Sequence, residues 1–592
     1  MIWHTIGELP TDFQTATGLI REHLRLPKES EEETIWRALD SKAVLIVLDS
    51  AELCKDPAAY ITRINGLNVA GGTRFLMTSR EEWVETKNRK RYSPAVLKSG
   101  DAIKILRAMV DAEQPSFTLN GEASDVAKAA RYHPRLMQYA VYWLNDRSPA
   151  GVIDLLTTLK GAGPDEAMAD LLGQTIAQIQ SKPDGINALA TLRKLIVFRG
   201  GATEDAIKAI LGNDMFNSSA LSILRRWGLL TVDRGRYIID PLVIDYVRLT
   251  PTLGEAVDAI RAHFDYYKAL AELHDKKQDY LGLDPESENL SIAFERAMTT
   301  DRAEDAFRLA EACRPFLTNR GRFVQSMDWF TRVSAALQNT ADEGLRAFVQ
   351  NSLGVIYITH PLGDRRSNWQ KSITALTEAL RFRTPATAPL AYAMTQNNLG
   401  AAYSDLATLE DREGNLRRSI AAYSEALHFF KPEIVPLDYA MTQNNLGNTY
   451  RDLAALENGT DNLHRAIVAY SEAHRFWTPD AAPLYYAMTQ NNLGVTFSDL
   501  AAIEDRAINL SRSIAAYTEA LRFLTAEAAA LDYAATQANL GLAYRDFDQL
   551  AKAVECWREA EHYYRLMNVI EEADKMHLWI VDAERQLSTS VK

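Results

Sequence analysis

Cysteine is scarce in this sequence: Cys54, Cys313 and Cys556 are the only three in 592 residues, and they lie far apart. They form neither a disulfide framework nor a paired-thiolate metal motif, so buried thiols of a reducing compartment are expected. Long apolar runs are missing too. The longest purely aliphatic stretch covers residues 43–48, far short of the roughly 20 residues a membrane helix needs. The opening residues, MIWHT, lack the charged-then-apolar pattern of a secretory leader. These absences give the expectation of a cytoplasmic protein with no membrane partner. Positive charge is in deficit, with 65 Lys and Arg against 78 Asp and Glu and a net charge of −13. The chain as a whole is therefore a poor binder of polyanions, although a local basic patch stays open. Finally, no Gly-Lys dipeptide occurs anywhere. This excludes the G-x-x-x-x-G-K-[ST] loop that cradles nucleotide phosphates.

What the sequence has is a phrase that returns. AMTQNNLG ends at Gly400, again at Gly447 and again at Gly494, and returns loosened as AATQANLG ending at Gly541, always 47 residues apart. A fixed period of this size marks a stacked-repeat solenoid. Leu399, Gly400 and Tyr403 fall on one helix, and Ser419, Tyr423, Ala426 and Leu427 on the next, at helical spacings of three and four. The array resembles the tetratricopeptide (TPR) pattern of paired helices, whose usual period is about 34 residues. Ala553, Trp557 and Ala560 follow Gly541 at ordinary TPR offsets. The long repeats are therefore TPR units with insertions, about seven residues within each hairpin and six between hairpins. Residues 409–413 are expected to extend the first helix or to form a polar turn. Thr478-Pro479 and Ala482-Pro483 mark inter-repeat loops. A weaker copy around Leu353-Gly354 makes five units, and residues 569–587 predict a closing helix.

Asparagine stands before each Leu-Gly pair, at Asn398, Asn445, Asn492 and Asn539, with a second one ahead of it at Asn397, Asn444 and Asn491. A carboxamide both donates and accepts, so such a ladder can hold the backbone of an extended peptide. TPR proteins with this Asn-Leu pattern, kinesin light chains among them, use it that way. Equally, the ladder can bond between neighbouring helices and hold the stack. A two-carboxylate clamp for chaperone tails is not expected. It needs an asparagine directly after each glycine, and only Asn448 fits.

The first half reads differently. Residues 43–48 and 73–78 predict two strands buried on both faces of a parallel sheet, with a helical pattern over 12–26. VLIVLD over 44–49, with Glu52, resembles the Walker B strand of STAND-type NTPases of the NB-ARC kind. GTRFLMTSR over 72–80 resembles their sensor strand. Tyr132-His133-Pro134-Arg135-Leu136 falls at their G-x-P-L motif. The resemblance implies that Asp49 holds Mg through water, that Arg80 senses a γ-phosphate and that Pro134 packs on the base. It also implies a nucleotide-contacting histidine where Asp240 stands. Departures accompany it: the phosphate loop is missing, Ser50 stands where many members carry a second acid, and Tyr132 and Arg135 replace Gly and Leu. By resemblance the chain starts one strand and one helix late, so ADP or ATP with Mg is expected only if the missing phosphate loop is supplied. Asp49 also fits a simple turn residue, and Arg80 a surface arginine.

Between the halves, residues 99–145 read as helical, and GAGP at 161–164 as a boundary. Helices over 188–195, 204–211 and 218–227 and strands over 229–232 and 236–239 make up a winged helix. Arg225, Arg226, Arg234 and Arg236 could serve DNA. In the resembling family this element regulates the nucleotide site instead.

The expected fold class is multidomain and mostly α. It comprises a truncated α/β P-loop-type domain (1–95), a helical subdomain (96–165), a winged helix (166–250), degenerate helical hairpins (251–340), a TPR array (341–567) and a capping helix with tail (568–592). The expected function is a sensor or scaffold that binds a protein or peptide in the TPR groove, with a degenerate STAND-type switch. Self-association is left open, and nucleic acid is not expected. The rivals are a STAND ATPase truncated at its start and a winged-helix transcription regulator.

Overall fold

The computed structural model describes residues 2–5, 45–49, 74–77, 97–113, 119, 121–161, 163–216, 219–250, 256–360 and 363–590. The helix expected over 12–26, and Ser50, Glu52, Cys54 and Arg80, lie outside the described residues. The chain divides into two units, residues 1–329 and 330–592.

In the first unit, β1 (Ile2–Thr5), β2 (Leu45–Asp49) and β3 (Arg74–Met77) form a parallel sheet in the order β1-β2-β3. Asp49 is the last residue of β2, opposite Thr5 of β1. It therefore stands at the carboxyl edge of the sheet.

Helices follow, several started by devices the sequence advertises. Pro134 opens the helix Pro134–Trp143, and Ser148 accepts from the Gly151 N–H ahead of Pro149–Thr158. Thr203 caps Glu204–Leu211 in the same way, accepting from the Ala206 N–H. Gly185–Leu195, Glu204–Leu211 and Ser219–Arg226 precede an antiparallel hairpin of β4 (Thr231–Asp233) and β5 (Arg236–Ile238). Trp143 anchors this region, edge-on to Trp227 with centroids 5.0 Å apart, and its indole N–H donates to Thr175 at 3.0 Å. The buried Glu286 carboxylate accepts from Arg236, Asn289 and the Tyr267 hydroxyl, so the charge taken out of water is hydrogen-bonded on several sides.

The second unit is a TPR-like stack of five helical hairpins and a closing helix. Repeat one pairs Glu343–Thr359 with Arg365–Leu380, and repeat two pairs Pro389–Leu406 with Arg412–Phe429. Repeat three pairs Pro436–Ala454 with Gly459–His474, and repeat four Pro483–Ala501 with Arg506–Ala520. Repeat five pairs Ala526–Asp546 with Leu550–Leu566, and Ile570–Ser590 closes the stack.

The Leu-Gly pair divides two tasks. Each glycine closes its own hairpin. A Cβ added at Gly400, Gly447 or Gly494 would fall 2.8, 2.7 or 2.6 Å from the ring of Tyr423, Tyr470 or Tyr517. Each leucine joins repeats instead. Leu399 packs with Leu376 of the preceding hairpin, Leu493 with Tyr470, and Leu540 with Tyr517.

Few of the seven inserted residues join the first helix: compared with repeat five, the first helix of repeat two ends one residue further from its glycine, the turn is two residues longer, and four residues add one helical turn at the start of the second helix. The enlarged turn depends on a left-handed residue, Asp411 (φ 41°), Asn458 (φ 48°) or Asp505 (φ 43°), residue types that tolerate this conformation. Four residues on, Asn415, Asn462 or Asn509 is buried. Its carboxamide donates to the carbonyl of Glu410, Glu457 or Glu504 at 2.8–2.9 Å, which closes the turn.

Candidate functional site: the outward face of the first helices

The two asparagines of the phrase have different surroundings. The first of each pair bonds forward to the next repeat. Asn397 Oδ1 accepts from Thr442 Oγ1 at 3.0 Å, and Asn444 Oδ1 accepts from both Thr489 Oγ1 and Asn492 Nδ2 at 3.3 Å. The ladder begins one repeat earlier than the phrase suggests. Asn351 Oδ1 accepts from Thr395 Oγ1 and Asn398 Nδ2 at 3.1 and 3.2 Å. It ends at Asn491, whose buried Oδ1 has no hydrogen-bond partner although repeat five keeps Thr536 and Asn539 at the partner positions. The second asparagines are half-exposed, and the side chains of Asn445 and Asn539 make no hydrogen bond among the described residues. Asn444→Ala should therefore lower stability by about 0.5–1.5 kcal/mol, while Asn445→Ala stays within about 0.5 kcal/mol. Chemical denaturation compares them, and the reverse ranking would contradict the assignment.

Around these asparagines the first helices present one accessible face. Leu390, Met394, Asn398, Ala401 and Asp405 follow at spacings of four, four, three and four, which places them on one helical stripe. The stripe recurs every 47 residues, so four stacked helices generate rows. Leu390, Leu437, Leu484 and Leu531 form an exposed leucine row. Met394, Met441 and Met488 form the next, 48%, 39% and 45% exposed. The asparagine row follows, and an aspartate row of Asp405, Asp452, Asp499 and Asp546 closes the face. Periodic exposed apolar side chains beside polar rows are what interaction surfaces have and solvated faces lack. Methionine suits such a surface because its flexible thioether adapts to different partners. Neither the methionine nor the aspartate row stood out in the sequence, although the 47-residue spacing carries both. The helical stripe alone does not say which side the second helices cover.

Within the aspartate row, Asp452 pairs with Arg451 at 3.2 Å and Asp546 with Arg545 at 2.8 Å, whereas Asp405 and Asp499 have no ion-pair partner among the described residues. Burial pushes the Asp405 carboxyl up to about 6, against the pull of Arg365. The folded chain therefore binds this proton more tightly than the unfolded one. The stabilisation is present in acid and is lost as pH rises from about 4 through about 6. Asp405→Asn should stabilise the protein by up to about 3 kcal/mol at pH 7.5 and by well under about 1 kcal/mol at pH 4. Thermal melts at the two pH values check this, and a destabilised variant at pH 7.5 would contradict it.

The residues singled out in the first half are arranged differently. Pro134 is exposed at the first position of its helix. Asp240 caps the helix Pro241–Leu249 by accepting from the Leu242 N–H at 2.9 Å. Its carboxylate also takes the Arg135 guanidinium at 2.7 and 2.9 Å. Two separate departures from the family pattern thus meet as one ion pair, which the sequence could not announce across 105 residues. With Arg135 44% exposed the pair is worth at most about 1 kcal/mol. A cavity of about 250 Å³ opens beside Phe198, Ile207, Tyr237 and Ile244, and none of the predicted site residues lines it.

No family model matches the chain, and no curated protein matches it. Among solved structures the chain is similar to a Signal Transduction ATPase with Numerous Domains with a tetratricopeptide repeat sensor from Pyrococcus horikoshii. The identity is 12% and the TM-score 0.40, covering 100% of this chain and 90% of that one. It is also similar to BtubC from P. vanneervenii, at 20% identity and a TM-score of 0.26, covering 47% of this chain and 92% of that one. Both scores are low, so the helical-repeat fold stands on the chain's own geometry.

Proposed function

We propose that the protein is a sensor or scaffold whose repeat array binds a protein or peptide on the outward face of its first helices. The observation that carries this reading is the periodic exposure of the leucine and methionine rows beside the half-exposed asparagine row, in which Asn445 and Asn539 make no side-chain hydrogen bond among the described residues. A stack held together only by its own core has no use for solvent-exposed methionines in three successive repeats. The first half is read as a STAND-type switch without its phosphate loop. The parallel strand order, with Asp49 at the carboxyl edge of the sheet, supports it. So does the Arg135–Asp240 pair, which joins the residue next to Pro134 with Asp240, the two places where the resemblance expects nucleotide contacts. The helices and hairpin over 185–238 are read as the winged-helix element of that switch. DNA binding is the weaker use of it, since Arg236 is engaged by Glu286 and Arg226 by the Asn145 carbonyl.

Panning a phage-displayed library of random peptides against the full-length protein tests the binding role. Peptides should be enriched that lose at least about tenfold in affinity on the Met441→Lys, Met488→Lys variant, as expected when apolar anchors meet a charge. Enriched peptides that bind the variant equally well would place the site elsewhere.

A further inference from the structure

From the order of the rows we infer that the occupant of this face is a basic amphipathic α-helix lying across the first helices, its apolar stripe on the methionine row and its cationic flank on Asp405 and Asp499. This rests on the binding role proposed above and adds the chemistry of the ligand.

Three observations converge. The first is width. Eleven residues separate Met394 from Asp405 on one helix, or about 16 Å at 1.5 Å per residue. A guest helix with its side chains is about 10–12 Å across, and a flanking lysine extends that reach to the aspartate row. A single extended strand, with neighbours only about 4.8 Å away, would touch one row and leave the other in water.

The second is period. Successive first helices are in hydrogen-bond contact through Asn397 and Thr442. Their axes are therefore separated by about 8–10 Å. Seven residues of a guest helix rise about 10.5 Å, so apolar residues recurring every seventh position meet one methionine per repeat.

The third is charge. The arginine preceding the aspartate alternates along the array: Ser404, Arg451, Ser498 and Arg545 occupy that place in repeats two to five. Repeats three and five supply an ion-pair partner at that place, and repeats two and four carry serine there, so Asp405 and Asp499 feel only the more distant charges of Arg365 and Arg451. The two open carboxylates stand two repeats apart, so a guest helix satisfies both with cations about 14 residues apart. A neutral or acidic guest would leave them unpaired beside an apolar contact, which is unfavourable.

Three synthetic 28-residue peptides test this on the full-length protein, each with leucine at every seventh position and with lysine, glutamine or glutamate on the flank. The lysine peptide should bind at least about tenfold tighter than the glutamine peptide and about a hundredfold tighter than the glutamate peptide at 0.1 M salt. Asp405→Asn with Asp499→Asn should weaken the lysine peptide about tenfold and leave the glutamine peptide unchanged. Asp499→Asn alone, about threefold weaker, gives the same readout if the double variant folds poorly. Equal binding of the glutamine or glutamate peptide would overturn the basic character of the ligand and leave the binding face standing. Failure of all three peptides to bind would remove both.

Discussion

Gly494→Ala is expected to lower stability by about 1–3 kcal/mol, because the new methyl enters space held by the Tyr517 ring, 2.6 Å away. Tyr517→Ala is expected to lose about 3–5 kcal/mol by opening a cavity, since the ring is only 2% exposed. The double variant distinguishes this account from general damage. With the ring gone the methyl has room, so the pair should lose about 1–2 kcal/mol less than the two single effects added together. Urea denaturation of the three variants measures it. Strict additivity would mean that glycine is needed for some other reason, such as backbone conformation. That alternative is weak here, because Gly494 lies inside a helix and is not among the positive-φ glycines.

Trp557→Ala is expected to be as severe, about 3–5 kcal/mol, and to act directionally. Trp557 takes the place that tyrosine holds in repeats two to four. It is 1% exposed, donates to the Ala538 carbonyl at 3.2 Å and packs against Trp579 of the closing helix. Met576 and Ile580 of that helix are buried in the same cluster. Because repeats touch only their neighbours, losing the end contact should fray the stack from repeat five inward. Amide hydrogen exchange should rise most in 526–590 and least in repeat two. Uniform acceleration along the array would show that the hairpins do not behave as a chain of units.

The returning phrase made the hairpins legible, together with their number and the closeness required at each glycine. It did not say where the inserted residues go. Asp411, Asn458 and Asp505 look like ordinary polar turn residues, and their left-handed conformation follows only from the carbonyl that Asn415, Asn462 or Asn509 must reach. Nor did it separate the asparagine pair, since adjacent residues on a helix point about 100° apart and only the neighbouring repeat decides which is covered. Asn397 and Asn444 turn toward the next helix, while Asn445 stays outside. In the first half the strands were legible from their aliphatic runs. The meeting of Arg135 with Asp240 was not, because each residue taken alone reads as a lost contact.

On this reading a partner binds the outward face of the first helices. Hydrogen exchange of the full-length protein with and without the lysine-flanked peptide tests it most directly. New protection is expected to concentrate in the first helices of repeats two to five, Pro389–Leu406 through Ala526–Asp546, with the second helices unchanged. Protection confined to the second helices, or to residues before 330, would contradict it.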